Sequence, residues 1–195
     1  VLEVVRVATV ARKTKETTIK ASVNLDGCGE AKIVSGIKYL THMLNTLANH
    51  SLIDIEIEAE GDLTHHTVED VAICLGSAIR RALGEEPRIK RFGSASVPMD
   101  DALASAAVDL GGRRFCVTDL KTTSLRIEDM AVEDIYHFIR SFSDALQANI
   151  HLHIHYGEND HHKVEAAFKA LALALREAVE EDPRRKTVPS TKGVL

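Results

Sequence analysis

The 195 residues carry 24 Lys and Arg against 29 Asp and Glu, a formal net charge of −5, which excludes a surface built throughout for nucleic acid. Hydrophobic residues make up 45%, and no apolar run reaches the roughly 18–20 residues of a membrane span, so the composition is that of a globular protein with a sizeable core. Three cysteines (Cys28, Cys74 and Cys116) without a CxxC argue against a disulfide framework and for a reducing cytoplasm, Cys74 being expected in the core. Nothing at the N-terminus reads as a cleavable signal.

In chain order, residues 1–11 and 15–24 are rich in Val, Thr and Ile and predict two strands. Asp26, Gly27 and Gly29 supply turn chemistry before a short strand at 30–34. Ile37, Leu40, Leu44 and Leu47 fall at helical spacing and predict an amphipathic helix over 35–49. Residues 52–58 then alternate with period two as a half-buried strand, and a helix follows from about His65 to Leu83, stopped by Gly84. The second half repeats this order. It has strands at 93–97, 102–109 and 114–120, a helix over 131–147, a strand over 149–156 and a helix over 161–180. Each half is therefore βββαβα, the first spanning about 1–90 and the second about 91–195. The expectation is a single duplicated α+β domain, with two four-stranded sheets sandwiching a layer of four helices.

The duplication extends to chemistry. His65-His66-Thr67-Val68-Glu69 opens the second helix of one half, and His161-His162-Lys163-Val164-Glu165 opens its counterpart. His42 lies 23 residues before His65, and His137 lies 24 before His161, each on the preceding helix. On a helix the first His and the Glu share a face one turn apart, while the second His is rotated by about 100°. Adjacent histidines thus suit two different metals. Six histidines and two glutamates divide evenly into two sites of three His and one Glu, a donor set that favours Mn, Fe, Co, Ni or Zn over Mg or Ca. A lone His-His pair is usually a surface accident; its repetition in matching places carries the reading. His50 reads as a helix-end cap, and His151, His153 and His155 on one strand face read as structural or surface residues.

Several stretches then resemble imidazoleglycerol-phosphate dehydratases. They include Arg12 to Thr17, SGIKYLTHML (35–44), GDLTHHTVED (61–70), Arg91-Phe92-Gly93, Pro98 to Leu103, Asp109 to Arg113, ENDHHKVEAAFKAL (158–171) and the terminal PSTKGVL (189–195). The resemblance covers essentially the whole chain, in order. It implies a carbon–oxygen lyase of histidine biosynthesis, turning imidazole glycerol phosphate into imidazole acetol phosphate and water. Two manganese ions would hold the deprotonated imidazole ring, with His42, His65, His66, Glu69, His137, His161, His162 and Glu165 as ligands. Glu16 would be the general base. Arg91, Arg113, Lys169, Ser190 and Lys192 would bind the phosphate. The resemblance further implies cytoplasmic 24-subunit shells with active sites between subunits. Thr41 and Thr64 stand where Asp is usual, an exchange expected to remove carboxylates that orient ligand histidines, and Gly111 to Arg114 replace a common Ser-Gly-Arg-Pro. The competing readings are another binuclear metal enzyme, such as a hydrolase, and a metal-storage shell without turnover.

Overall fold

Strand alternation decides which side of each sheet is buried. In β4 (Asp54–Gly61), Ile55, Ile57 and Ala59 point into the core while Glu56, Glu58 and Glu60 face outward. In β10 (Asn149–Tyr156), Ile150, Leu152 and Ile154 do the same, leaving His151 and His155 exposed. The computed structural model describes residues 5–85 and 87–192. Its first half comprises β1 (Val7–Lys13), β2 (Thr17–Asn24), β3 (Ala31–Val34), α1 (Lys38–Ser51), β4 and α2 (Thr64–Leu83). The second comprises β5 (Phe92–Met99), β6 (Ala102–Asp109), β7 (Phe115–Asp119), a hairpin of β8 (Arg126–Ile127) and β9 (Met130–Ala131), α3 (Val132–Leu146), β10 and α4 (Asp160–Val179). The four-stranded sheets run β1-β2-β4-β3 and β5-β6-β10-β7. In each, the last pair is parallel and the others are antiparallel, so the two halves share one topology.

The helices lie between the sheets. Helix α2 packs on β1 and β2, α1 on β3, α4 on β5 and β6, and α3 on β7. Each helix also meets one from the other half, α2 against α3 and α1 against α4. Phe138, Phe142 and Phe168 fill the centre, with ring centroids 5.8–6.1 Å from Phe138 to the other two, and burial of each contributes about 2–3 kcal/mol.

The α2–α3 seam is backbone-close. A Cβ on Gly76 would lie 2.7 Å from the Phe142 carbonyl oxygen and 2.9 Å from the Leu146 nitrogen. In an open helix, Gly→Ala would stabilise by about 1 kcal/mol. Here Gly76→Ala is expected to destabilise by about 1–3 kcal/mol through forced displacement of α3. The sign of the change in denaturant midpoint checks it; a gain in stability would mean that the seam yields freely.

Three expectations are corrected. Helix α1 begins at Lys38 rather than at 35, because Gly36 takes φ 72° and the Ser35 hydroxyl closes a turn onto Ile37. Glu16 lies in the turn between β1 and β2, not within a strand. The β8–β9 hairpin interrupts the second βββαβα unit and has no counterpart in the first half. It caps a distant helix: the Asp129 carboxylate accepts from the Lys38 and Tyr39 N–H groups at 2.7 and 2.9 Å, satisfying donors that Ile37 cannot. Of the predicted first strand, residues 1–4 lie outside the described residues.

Candidate metal centres

The crossed helix pairs bring six of the eight expected ligands into two clusters, each built from both halves. In one, the Glu165 Oε2 on α4 lies 3.3 Å from His161 Nε2 and 3.4 Å from the Nε2 of His42 on α1. In the other, the Glu69 Oε1 on α2 lies 3.4 Å from the Nε2 of His137 on α3, with the His65 ring 4.7 Å from that of His137. Ligands at about 2.1 Å from a shared ion sit about 3.0–3.4 Å from one another in tetrahedral or octahedral order, so these spacings fit a divalent metal. His137 Nε2 is buried and makes no hydrogen bond. A buried imidazole lone pair facing a carboxylate without a partner is costly unless something positive sits between them. The residues fit a metal.

Carboxylates hold the other edge of four of the six histidines. His65 Nδ1 meets Asp134 at 2.7 Å, His66 Nδ1 meets Asp62 at 2.8 Å, His161 Nδ1 meets Glu128 at 3.2 Å and His162 Nδ1 meets Asp101 at 2.5 Å. An Nδ1–H donated to a carboxylate leaves Nε2 as the ligand atom and raises its basicity. The hydrogen bonds that Asp62 and Asp101 accept hold His66 and His162 above the usual imidazole range, and the two carboxylates lie correspondingly below theirs. Burial pushes the Glu165 carboxyl up, but the Lys169 ammonium at 2.9 Å and His42 outweigh it, so Glu165 is lowered. Asp160, the counterpart of Thr64, orients no histidine. It accepts from the Thr123 and Ser124 N–H groups and pairs with the buried Lys163, fixing the loop after β7.

The comparisons with known proteins agree in one direction. A family model described as imidazoleglycerol-phosphate dehydratase matches residues 35–175. A protein of that name from Dehalococcoides mccartyi is 50% identical over 191 residues, covering 97% of both chains. The chain belongs to the imidazoleglycerol-phosphate dehydratase family. A namesake from Chlorobium phaeovibrioides is also 50% identical, covering 97% of this chain and 96% of its own. The crystal structure of IGPD from Pyrococcus furiosus in complex with (S)-C348 superposes with a TM-score of 0.83 at 39% identity, over 95% of this chain and all of that one.

Within this member of the dehydratase family, the remaining expected site residues are scattered. His66 and His162 join neither cluster of their own chain. Glu16 is 59% exposed, its Oε2 3.8 Å from His66 Nδ1, and Asp100 stands 3.6 Å from His162 in the matching hairpin turn of the second half. Arg91 pairs with Asp109 at 2.6 Å, and its Nη1 donates to the Pro189 carbonyl at 2.7 Å, drawing the segment with Ser190 and Lys192 beside it. Gly111 lies against the same guanidinium, so the loop carrying exposed Arg113 shares that corner. Lys169 is elsewhere, paired with Glu165. The Arg91 N–H bonds to the Ala178 carbonyl, and at 1.5 Å per residue that point is about 25 Å along α4 from His161. The arginine corner and the α1/α4 cluster thus occupy opposite ends of one helix. His50 ends α1, and burial followed by Lys169 holds it below the usual imidazole range. Among the described residues, the His153 ring meets Asp119 at 3.9 Å and the His155 ring meets the Ser105 hydroxyl at 2.9 Å. Sequence reading missed the orienting carboxylates. Only Asp62, four residues before His66, carried a helix-like spacing; Asp101, Glu128 and Asp134 come from other elements.

Proposed function

We propose that the chain is a hydro-lyase of the cytoplasm that converts imidazole glycerol phosphate to imidazole acetol phosphate in histidine biosynthesis. Two crosswise nitrogen–oxygen clusters, one with an orphaned buried imidazole nitrogen, in a chain 50% identical to proteins named for this activity, carry the reading. Two Mn²⁺ ions would be held by His42, His161 and Glu165 and by His65, His137 and Glu69. When bound, they supply Lewis acidity that favours the imidazolate form of a ring nitrogen. The hydroxyl on the carbon next to the ring would leave as water with the proton given up by the ring N–H, and Glu16 would accept the proton from the following carbon as the ring is reprotonated. The resulting enol then tautomerises to the ketone.

More than one copy is needed to complete the site. Three ligands per cluster leave places for a further imidazole, and His66 and His162 are two carboxylate-held imidazoles outside the clusters of their own chain. The arginine corner is likewise too far along α4 to reach the phosphate of a substrate on its own chain's α4 cluster. Neighbouring copies therefore contribute these groups within a closed homo-oligomer, taken to be a 24-subunit shell from the sequence resemblance. The test is direct: purified protein with Mn²⁺ and imidazole glycerol phosphate should release the ketone. Bound metal without turnover would instead favour storage.

The phosphate stays attached throughout, so Arg91, Arg113, Ser190 and Lys192 act by positioning it. Ending the chain before Pro189, or Lys192→Ala, is expected to impair substrate use while metal content stays at the full-length value. Steady-state kinetics beside metal analysis checks this, and equal kinetics in truncated and full-length proteins would count against the corner as a phosphate site.

A further inference from the structure

The two clusters are related by the internal duplication, but their orienting carboxylates are not. His65 is held by Asp134, a buried residue of α3 three positions before His137. The position three before His42 on α1 is Tyr39, which offers no carboxylate. Its ring instead packs edge-on against His161, with centroids 5.2 Å apart. The carboxylate for His161 comes from Glu128, at the tip of the β8–β9 hairpin that the first half lacks. Glu128 takes φ 50°, a left-handed conformation that hairpin turns normally assign to Gly, Asn or Asp. A glutamate held there against its own backbone preference, with its carboxylate on a candidate ligand, points to use of the side chain. Its neighbour Asp129 caps α1, the helix that carries His42, so the hairpin grips both ends of that cluster.

We infer that Glu128 is a positioning residue for the α1/α4 cluster alone. It replaces in space the helix-borne carboxylate of the α2/α3 cluster, and it makes metal affinity at the two clusters separately adjustable. The inference rests on the metal reading above. Glu128 donates nothing to a metal itself; it fixes the His161 ring and its tautomer so that Nε2 faces His42 and Glu165. The contact is largely open to solvent, with Glu128 61% exposed, which places its effect at the lower end of the range for such partners, about tenfold in affinity.

The experiment is Mn²⁺ titration by calorimetry in two backgrounds, with thermal unfolding of each variant measured beside it. In His65→Ala, where the α1/α4 cluster stays whole, adding Glu128→Gly is expected to weaken the remaining binding about tenfold. Glu128→Gln, which keeps an acceptor for Nδ1–H, should recover most of it. In His42→Ala, where only the α2/α3 cluster stays whole, Glu128→Gly should change nothing. The midpoint of unfolding should not fall, since glycine suits φ 50° better than glutamate. Unchanged affinity in the first background, or an equal fall in both, overturns the inference while leaving the metal reading standing. A wild-type chain that binds no Mn²⁺ overturns both.

Discussion

Glutamine in place of Glu16 is expected to lower turnover by about 10²–10⁴-fold, the usual worth of a positioned general base, while fold and metal content stay unchanged. The backbone of residue 16 is pinned on both sides. Its N–H donates to the Thr14 hydroxyl at 3.0 Å, and its carbonyl accepts from the Asp62 N–H at 3.0 Å. The side chain extends from that fixed point to within 3.8 Å of His66, which is itself held by Asp62. Glutamine preserves size and hydrogen bonding but cannot accept a proton. Turnover of the purified variant, with metal content measured alongside, checks the expectation; near-normal activity would move the base to another carboxylate, Asp100 first, because it occupies the matching turn beside His162.

His42→Ala is expected to cut turnover by at least about 10³-fold and to drop the metal content from two ions per chain to one. Lewis-acid stabilisation supplies several kcal/mol, and each 1.4 kcal/mol is a factor of ten in rate. The choice of His42 makes the test specific to the crossed arrangement. Although it belongs to the first half, the ion lost should be the one held by His161 and Glu165 of the second. Metal analysis of His42→Ala and of His42→Ala/Glu165→Gln should then agree, since both remove the same ion. A further loss in the double variant would mean that His42 serves some other site. Chelation of the wild type should remove both ions and, if neighbouring copies contribute His66 and His162, should shrink the assembly seen by light scattering.

How much was legible in the sequence follows from how local each signal is. The strands of β4 and β10 and all four helices were placed within a few residues, because a period of 2.0 or 3.6 is written into the chain itself. The β8–β9 hairpin was not, since two-residue strands have no period and a glutamate gives no turn signal. The start of α1 was misplaced for a related reason: its cap, Asp129, is far away in the chain. Within the site, the i,i+4 pairing of His161 with Glu165 was readable, and so was its repetition at His65 and Glu69. Which upstream histidine joins which pair was not, because it depends on helix packing between the halves. Lys169, a phosphate ligand by resemblance, is paired with Glu165 in its own chain, a contact that depends on no more than i,i+4 spacing.

The crossed pairing of α1 with α4 and of α2 with α3 has the approximate symmetry of a two-fold dimer, each half meeting the other through corresponding helices. Each half on its own carries only part of each cluster, so both clusters exist only where the two halves pack together. Loss of His42 would spoil the chelating pair on α4, and loss of His137 the pair on α2, so each half carries residues whose use lies in the other.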